Sequence, residues 1–186
     1  MDTVERLVPA LDMSFKKFHS LPSVILPAGY NLWTLRNSSE EDWIEALNAT
    51  GQLGKWDRNQ AKQWLESERH AIKEGTFIIY ADGTPVATAC AIPPTSTEKR
   101  PEFGWVSASP AHQGKGLGYQ VSLAVLHFIK ECGFPETFLH TDDWRLPAIK
   151  TYLKLGFEPD ITHETHPERW KTIIKKIDSK LPHAIN

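Results

Sequence analysis

Three glycines at alternate positions, Gly114, Gly116 and Gly118, stand between a short β-type segment and a long apolar one. The β-type segment is EFGWVSASP, residues 102–110, and the apolar one is YQVSLAVLHFIKECG, residues 119–133. Glycine permits backbone conformations that other residues avoid, and the first turn of a helix carries N–H groups with no partner inside the helix. The segment HQGKGLGYQ therefore predicts a strand–turn–helix unit whose turn binds an anion.

The spacing of these glycines narrows the choice of anion site. A mononucleotide loop needs GxxxxGK followed by Ser or Thr, but here Lys115 is followed by Gly116. A dinucleotide turn needs GxGxxG, whereas these glycines are spaced two and two. A third pattern, Q-x-x-G-x-G at a helix start, is filled by Gln113, Gly116 and Gly118. It suits a pyrophosphate, with Lys115 as an added positive charge. The alternative is a glycine-rich turn without a ligand.

Hydrophobic periodicity and turn residues predict strands and helices along the rest of the chain. The predicted strands are residues 30–36, 76–81, 84–92, 102–110, 137–141 and 157–161. The predicted helices are a first one begun by Ser38 or Ser39 and stopped by Gly51, then residues 57–75, 119–133, 146–156 and 166–178. The proline-bounded run at residues 21–29 predicts an extended arm or an edge strand. This order predicts an α/β fold, with one central mixed sheet flanked by helices.

Composition excludes several classes of function. The chain has 186 residues, 40% of them hydrophobic, and a net charge of −2, so a packed core is expected and nucleic acid is not an expected partner. Cys90 and Cys132 form no CxxC pair, which argues against a zinc site, and we expect no metal. No apolar run approaches the ~20 residues of a membrane span, and the first residues do not resemble a signal peptide. We therefore expect a cytoplasmic protein without membrane contact.

Two segments, VSASPAHQGKGLG and PAIKTYLKLGF, together resemble the GNAT family of acyl-CoA-dependent N-acyltransferases. The first is similar to the family's CoA-pyrophosphate motif, and the second to its Ala-Ile-x-x-Tyr-x-x-x-Gly-Phe motif. The resemblance implies a sheet that splays apart between its fourth and fifth strands. It also implies a GNAT domain at residues 28–178, with an N-terminal extension at 1–27 and a C-terminal tail at 179–186. The segment TDDWRLPAI is more loosely similar to a branch related to mycothiol synthases, which does not specify a substrate.

The resemblance also implies the residues that hold acetyl-CoA. Backbone groups of Val106, Ser107 and Ala108 would contact pantetheine. The pyrophosphate would lie against the turn and the helix start, formed by Gln113, Gly114, Lys115, Gly116, Leu117, Gly118 and Tyr119. The family often has Asn seven residues before the motif tyrosine, where this chain has Arg145. We expect Arg145 either to reach a CoA phosphate or to pair with Asp142 or Asp143.

Two residues are the candidate catalytic groups under this resemblance. Tyr152 occupies the motif tyrosine and would protonate the leaving sulfur, although a core tyrosine is the alternative. Glu102 lies eleven residues before Gln113 and would take the proton of the amine, although a solvent-exposed strand end is the alternative. His112 and His140 are expected at surface or edge positions.

The function implied is transfer of an acetyl group from acetyl-CoA to an unidentified amine, by direct attack in a ternary complex. The acceptor would be a small molecule or a peptide, and a homodimer is possible. The alternative is a catalytically silent acyl-CoA-binding sensor or interaction module. Four tryptophans in the N-terminal elements would either line an acceptor pocket or pack in the core: Trp33, Trp43, Trp56 and Trp64.

Overall fold

The fold is known from a computed structural model, which describes residues 8–67 and 70–179. Within these ranges seven strands form one sheet in the order β2-β3-β4-β5-β6-β1-β7. The strands are β1 Leu11–Phe15, β2 Tyr30–Thr34, β3 Thr76–Ala81, β4 Thr84–Ile92, β5 Glu102–Ala108, β6 Thr137–Thr141 and β7 Glu158–Asp160. The helices are α1 Glu40–Asn48, α2 Arg58–Glu66, α3 Leu117–Glu131, α4 Leu146–Leu155 and α5 His166–Asp178. The predicted mixed sheet flanked by helices is confirmed.

The first two helices begin where their capping residues predict. The Ser39 hydroxyl accepts from the Asp42 backbone N–H, and the Asp42 carboxylate accepts from the Ser39 N–H. Asp57 and Gln60 make the same reciprocal pair at the start of α2. Each pair satisfies two backbone donors that a helix start leaves without partners.

The second helix is shorter than predicted, because α2 ends at Glu66 rather than near Gly75. Past this end the chain joins the sheet, where the Ile72 N–H donates to the Ala91 carbonyl at 2.9 Å. Gly75 does not cap a helix. A Cβ added to it would lie 2.4 Å from the ring of Phe128, so glycine is needed there for close packing. Tertiary pairing thus overrides the helical pattern of this segment.

The sequence prediction missed strand β1, which lies inside the sheet rather than in an extension. Met13 pairs with Leu139 of β6 on one side and with Pro159 of β7 on the other, antiparallel to both. The apolar residues of LDMSF alternate with polar ones, as they do in a strand, but the run is only five residues long, and four of them are buried through pairing with β6 and β7. The domain boundary predicted after residue 27 therefore places β1, a strand of the sheet, in the N-terminal extension. The predicted arm at residues 21–29 has no regular secondary structure, ends in a turn at Ala28 and Gly29, and does not join the sheet before Tyr30.

The helices cover the two faces of the sheet unequally. Neighbouring residues of β3 face opposite sides, with Ile79 in the cluster under α3, α4 and α5, and Ile78 in the cluster under α1 and α2. Leu11, Met13 and Leu139 pack in the first cluster, so α4 and α5 lie over one side of β6, β1 and β7. The other side of these three strands carries polar side chains and forms one wall of a cavity described below.

Four tryptophans form a contact group, the tryptophan cluster, on the α1 and α2 side. The Trp56 ring lies 5.8 Å from Trp43, 6.5 Å from Trp64 and 4.6 Å from Trp105, between ring centroids. Trp43 and Trp56 are buried, which confirms core packing for them, whereas Trp33 is exposed. No helix in the described ranges is long and apolar enough to cross a bilayer.

The burial of β1 leads to a stability prediction. Met13 has no exposed surface, so Met13→Ala should lower the free energy of unfolding by about 2–5 kcal/mol, through lost burial and the cavity left behind. Val8 is 66% exposed, and Val8→Ala should change it by about 0.5 kcal/mol or less. Urea unfolding measures both. Equal, small effects of the two changes would show that β1 does not belong to the cooperative fold.

Candidate functional site

Strands β5 and β6 run parallel but form only one register pair, Glu102 with Phe138. Next to this junction, the Thr137 hydroxyl donates to the Pro101 carbonyl at 2.8 Å. Beyond it the two strands diverge, so the backbone of β5 beyond Glu102 is not bridged to β6. This confirms the opening predicted between the fourth and fifth strands counted from Tyr30, which are β5 and β6 here.

A β-bulge in β5 lies at this opening. Thr88 of β4 pairs with Ser107, and Cys90 pairs with Gly104, so three residue steps on β5 oppose two on β4. Trp105 lies in the bulge with a φ of 52°, in the left-handed region that residues other than glycine rarely adopt. A bulge bends its strand and increases the local twist. Trp56 and Trp64 of the tryptophan cluster pack against the Trp105 ring, at 4.6 and 4.7 Å between centroids, and hold this conformation.

Polar groups of β5 and α4 meet at the opening. Arg145, just before α4, donates from Nη2 to the Val106 carbonyl at 3.2 Å. The Arg145 Nε atom and the Ser107 hydroxyl are buried without a hydrogen-bond partner among the described residues. A buried polar group without a partner is costly, so the Nε atom of Arg145 marks a place where a polar ligand would be stabilised.

The side chain of Arg145 does not make the ion pair that the sequence offered as one alternative. Asp143 instead accepts from the guanidinium of Arg169, which holds the pKa of the Asp143 carboxyl below its usual value. Arg145 approaches Asp142 only through its backbone N–H, which donates to the Asp142 carbonyl at 3.0 Å. Its side chain is directed to β5.

The glycine turn adopts the backbone that its sequence predicts. Gly114 and Gly116 have φ values of 77° and 72°, and a Cβ on either would meet nothing within 4 Å. Conformation, not space, therefore requires glycine at these positions. Gly116 precedes α3 and no side chain caps this helix start, so the N–H groups of its first turn face an adjacent pocket.

This loop pocket has a volume of about 470 Å³ and lies between the glycine turn and α4. Seven of the predicted CoA-binding residues line it: Ala108, Gln113, Gly114, Gly116, Leu117, Gly118 and Tyr119. Val106 and Ser107 lie farther back along β5, towards the opening. Lys115 is exposed, and its Nζ atom lies 5.3 Å from the centroid of the Tyr30 ring.

Two lysines of α4 that were not predicted, Lys150 and Lys154, also line this pocket. They are four residues apart and therefore lie on one face of the helix. That spacing was a visible signal, but only the packing of α4 beside the turn shows which face meets the pocket. The two ammonium groups and the first turn of α3 make the pocket favourable for an anion.

Tyr152 is buried in α4, beside the opening, with 3% of its surface exposed. Its ring contacts Phe103 of β5 and Phe157, with centroids 5.8 and 5.9 Å away. Burial raises the pKa of Tyr152 to about 12, against a smaller opposing effect of the Arg145 charge. The hydroxyl therefore stays protonated at neutral pH and can act as a proton donor.

Glu102 lies on the other side of β5 from Tyr152. Phe103 faces Tyr152, and successive residues of a strand face opposite sides of the sheet. Glu102 lines a cavity of about 490 Å³, the acidic cavity. Its lining is mostly polar: Asp12, Pro93, Thr95, Ser96, Thr97, Glu98, Arg100, Glu102, Phe138, His140, Asp160 and Thr162. The structure thus places the two candidate catalytic residues on the two faces of one strand, next to the opening.

The loop pocket, the opening and the acidic cavity follow one another along β5. This strand runs from Glu102 at the cavity to Ala108 at the loop pocket, a length of about 20 Å. A split mixed sheet with an anion pocket at a helix start, a buried tyrosine and a strand carboxylate is the combination expected of acyl-CoA-dependent acyltransferases. In the described ranges, no group of three or more His, Cys, Asp or Glu residues is arranged to hold a metal ion.

Comparison with known proteins assigns the family. The sequence profile of the Acetyltransferase (GNAT) family matches residues 32–157, so the chain belongs to this family. Mycothiol acetyltransferase of Rhodococcus erythropolis is 26% identical over 154 residues, which are 74% of this chain and 50% of that protein. The mycothiol acetyltransferase of Saccharomonospora viridis is 30% identical over 152 residues, which are 74% of this chain and 48% of that protein. The chain thus spans about half the length of these curated relatives.

Solved structures share the fold. A GCN5-related N-acetyltransferase from Sphaerobacter thermophilus aligns with a TM-score of 0.63 at 18% identity, covering 82% of this chain and 50% of that one. A tandem GNAT protein from the clavulanic acid biosynthesis pathway aligns with a TM-score of 0.61 at 19% identity, with the same coverage of 82% and 50%. At these identities the likeness concerns the fold alone.

The environment of Tyr152 leads to a spectroscopic prediction. A phenol that burial holds protonated releases its proton at higher pH, so Tyr152 should ionise with a midpoint near 12 rather than about 10. Ultraviolet absorbance after a rapid pH jump, compared between wild type and Tyr152→Phe, isolates this residue. A difference curve with its midpoint near pH 10 would mean that Tyr152 is exposed to solvent.

Proposed function

We propose that this protein transfers an acetyl group from acetyl-CoA to an amine, by direct attack while both substrates are bound. The observation that carries the proposal is the opening between β5 and β6, which connects the loop pocket, Tyr152 and Glu102. The similarity to mycothiol acetyltransferases supports acetyl as the group transferred.

The residues present fit acetyl-CoA. The loop pocket suits the pyrophosphate, because it combines the first turn of α3 with the Lys150 and Lys154 ammonium groups. The backbone groups of Val106, Ser107 and Ala108 can hydrogen-bond the amide groups of the pantetheine arm of CoA. For this, the arm must replace the Arg145 contact with the Val106 carbonyl. Bound acetyl-CoA would supply the thioester that the amine attacks.

Tyr152 and Glu102 take opposite roles in this proposal. Tyr152, which stays protonated at neutral pH, donates its proton to the leaving sulfur. Glu102 accepts a proton from the amine, which is charged at neutral pH and must become neutral before it can attack. Their positions on the two sides of β5 support approach of the amine from the acidic cavity.

The proposal extends to the acceptor, the cellular location and the oligomeric state. The acidic cavity has room for a small-molecule amine or the end of a peptide. Its four carboxylates outnumber the one guanidinium in its lining, that of Arg100, and therefore favour a cationic group; they belong to Asp12, Glu98, Glu102 and Asp160. A cytoplasmic location and a homodimer remain our expectations.

The second candidate is a sensor that binds acyl-CoA without turnover. CoA release from acetyl-CoA, measured by thiol detection with a panel of alkylamines, amino acids and peptides, separates the two functions. Release that depends on an amine supports the enzyme. Tight binding of acetyl-CoA without release from any amine would support the sensor.

The loop pocket yields a binding prediction. Changing Lys150 and Lys154 together to alanine should weaken CoA binding by about tenfold, equal to ~1.4 kcal/mol, because two cations leave the pyrophosphate site. Titration calorimetry at fixed salt measures the Kd. The matched control changes Lys171 and Lys175, exposed on α5, and should leave the Kd unaltered. Equal Kd values for both variants would place the pyrophosphate elsewhere.

The catalytic pair yields a kinetic prediction. Tyr152→Phe should keep CoA affinity and lower kcat by about tenfold or more, because the sulfur loses its proton donor. Glu102→Gln should lower the rate most at low pH, where little amine is already neutral. Steady-state rates across pH measure both. An unchanged kcat for Tyr152→Phe would remove it as the acid, and a pH-independent effect of Glu102→Gln would indicate another base.

A further inference from the structure

A histidine and an aspartate from two different strands form a pair in the acidic cavity. The Nδ1 atom of His140, on β6, lies 2.5 Å from Oδ1 of Asp12, on β1. The other oxygen of Asp12 accepts a hydrogen bond from the Thr162 hydroxyl. The side chain of Asp12 is 20% exposed and that of His140 is 45% exposed, so the aspartate is held in the wall and the histidine meets the cavity.

The aspartate fixes the proton on the histidine ring. An ionised carboxylate only accepts hydrogen bonds, so the contact with Asp12 places a proton on Nδ1 of His140. In the neutral ring the lone pair is then on Nε2. His140 can therefore accept a proton on Nε2, the ring nitrogen that Asp12 does not contact. Nothing in the sequence indicated this, because the two residues are 128 positions apart.

His140 and Glu102 share one face of the sheet. Glu102 lies beside Phe138 at the junction of β5 and β6, and His140 is two residues farther along β6. Side chains two apart on a strand face the same way, and the rings of Phe138 and His140 contact each other at 5.3 Å between centroids. Both ionisable residues line the acidic cavity, one from each strand that borders the opening.

We infer that His140 is a second proton acceptor at this site and that Asp12 is its positioning residue. The inference rests on the proposed function. An amine acceptor that arrives as an ammonium ion loses two protons when it becomes an amide. Two acceptors facing one cavity, Glu102 and His140, match that requirement, whereas a single base would have to release the first proton before taking the second.

The proton balance of the reaction is complete with these residues. A bond forms between the acceptor nitrogen and the acetyl carbon, and the bond between that carbon and the CoA sulfur breaks. The nitrogen gives one proton to Glu102 and one to Nε2 of His140. Tyr152 donates one proton to the sulfur and recovers one from solvent. The two protons on Glu102 and His140 return to solvent, so one proton is released in each cycle.

Other charged groups around the cavity are already engaged. Asp160 of β7 accepts from the Ser14 hydroxyl at 3.0 Å. Glu98 pairs with Arg100, which holds the pKa of the Glu98 carboxyl at about 2. His140 with Asp12 is thus the pair best placed to exchange a proton with a ligand in the cavity. This also gives β1 a second role, because the strand that completes the sheet supplies Asp12.

Kinetics with chemical rescue test the role of His140. In the intact protein, with an amine that supports turnover, His140→Ala should lower kcat by about 100-fold, the usual contribution of a proton acceptor, and leave the KM for acetyl-CoA unaltered. Added imidazole should restore part of the rate of His140→Ala and should not stimulate wild type. The matched control is Glu158→Gln, on the strand that carries Asp160, which breaks an exposed pair with Lys17 and should keep wild-type kcat.

Nitrogen-15 NMR of the His140 ring tests the positioning role of Asp12. Wild type should show the neutral ring protonated on Nδ1, and Asp12→Ala should shift the proton to Nε2, with a fall in kcat comparable to that of His140→Ala. A structural role for Asp12 would not move the tautomer. Circular dichroism and thermal unfolding check that each variant folds. If Asp12→Ala does not fold, the tautomer of His140 in wild type still tests the inference.

The outcomes separate this inference from the proposed function. An active wild type with an equally active His140→Ala, a loss of rate that imidazole does not restore, or an Nε2-protonated ring in wild type would overturn the role of His140 alone. A wild type that binds acetyl-CoA and releases no CoA with any amine would overturn the proposed function, and this inference with it.

Discussion

The divergence of β5 from β6 is the constraint on which the site depends. One register pair, Glu102 with Phe138, holds the two strands together, and the bulge at Trp105 bends β5 at the opening. A tryptophan with its backbone in the left-handed region is unfavourable by itself, and the packing of Trp56 and Trp64 against it compensates. The pairing between β5 and β6 is lost only beyond Glu102, and the backbone of β5 is accessible from the opening there.

Arg145 shows how the opening is stabilised before a ligand binds. Its guanidinium donates to the Val106 carbonyl, and a hydrogen bond from a charged donor contributes about 1.5–3 kcal/mol. A ligand that reaches this carbonyl must offset that contact with its own hydrogen bonds. The same arginine lies close enough to Tyr152 to oppose the effect of burial on the pKa of the phenol. Arg145 thus contacts the backbone of β5 in the absence of ligand and also affects the pKa of Tyr152 on α4.

The sequence predicted the parts of this site that depend on local residues. The glycine turn, the start of α1 at Ser39 and the motif tyrosine all follow from short patterns, and the structure has them in the predicted elements. Strand β1 was missed because its burial depends on pairing with β6 and β7, more than 120 residues away by the register of Met13 with Leu139. The premature end of α2 and the Asp12–His140 pair have the same cause, since both depend on contacts that no local pattern encodes.

The central claim is that the opening between β5 and β6 receives the arm of acetyl-CoA. A crystal structure of the complex with CoA tests it most directly. We expect the pantetheine arm to lie along Val106, Ser107 and Ala108. We also expect the pyrophosphate at the glycine turn and Arg145 moved away from the Val106 carbonyl. CoA bound elsewhere, with Arg145 still on that carbonyl and the loop pocket empty, would contradict it.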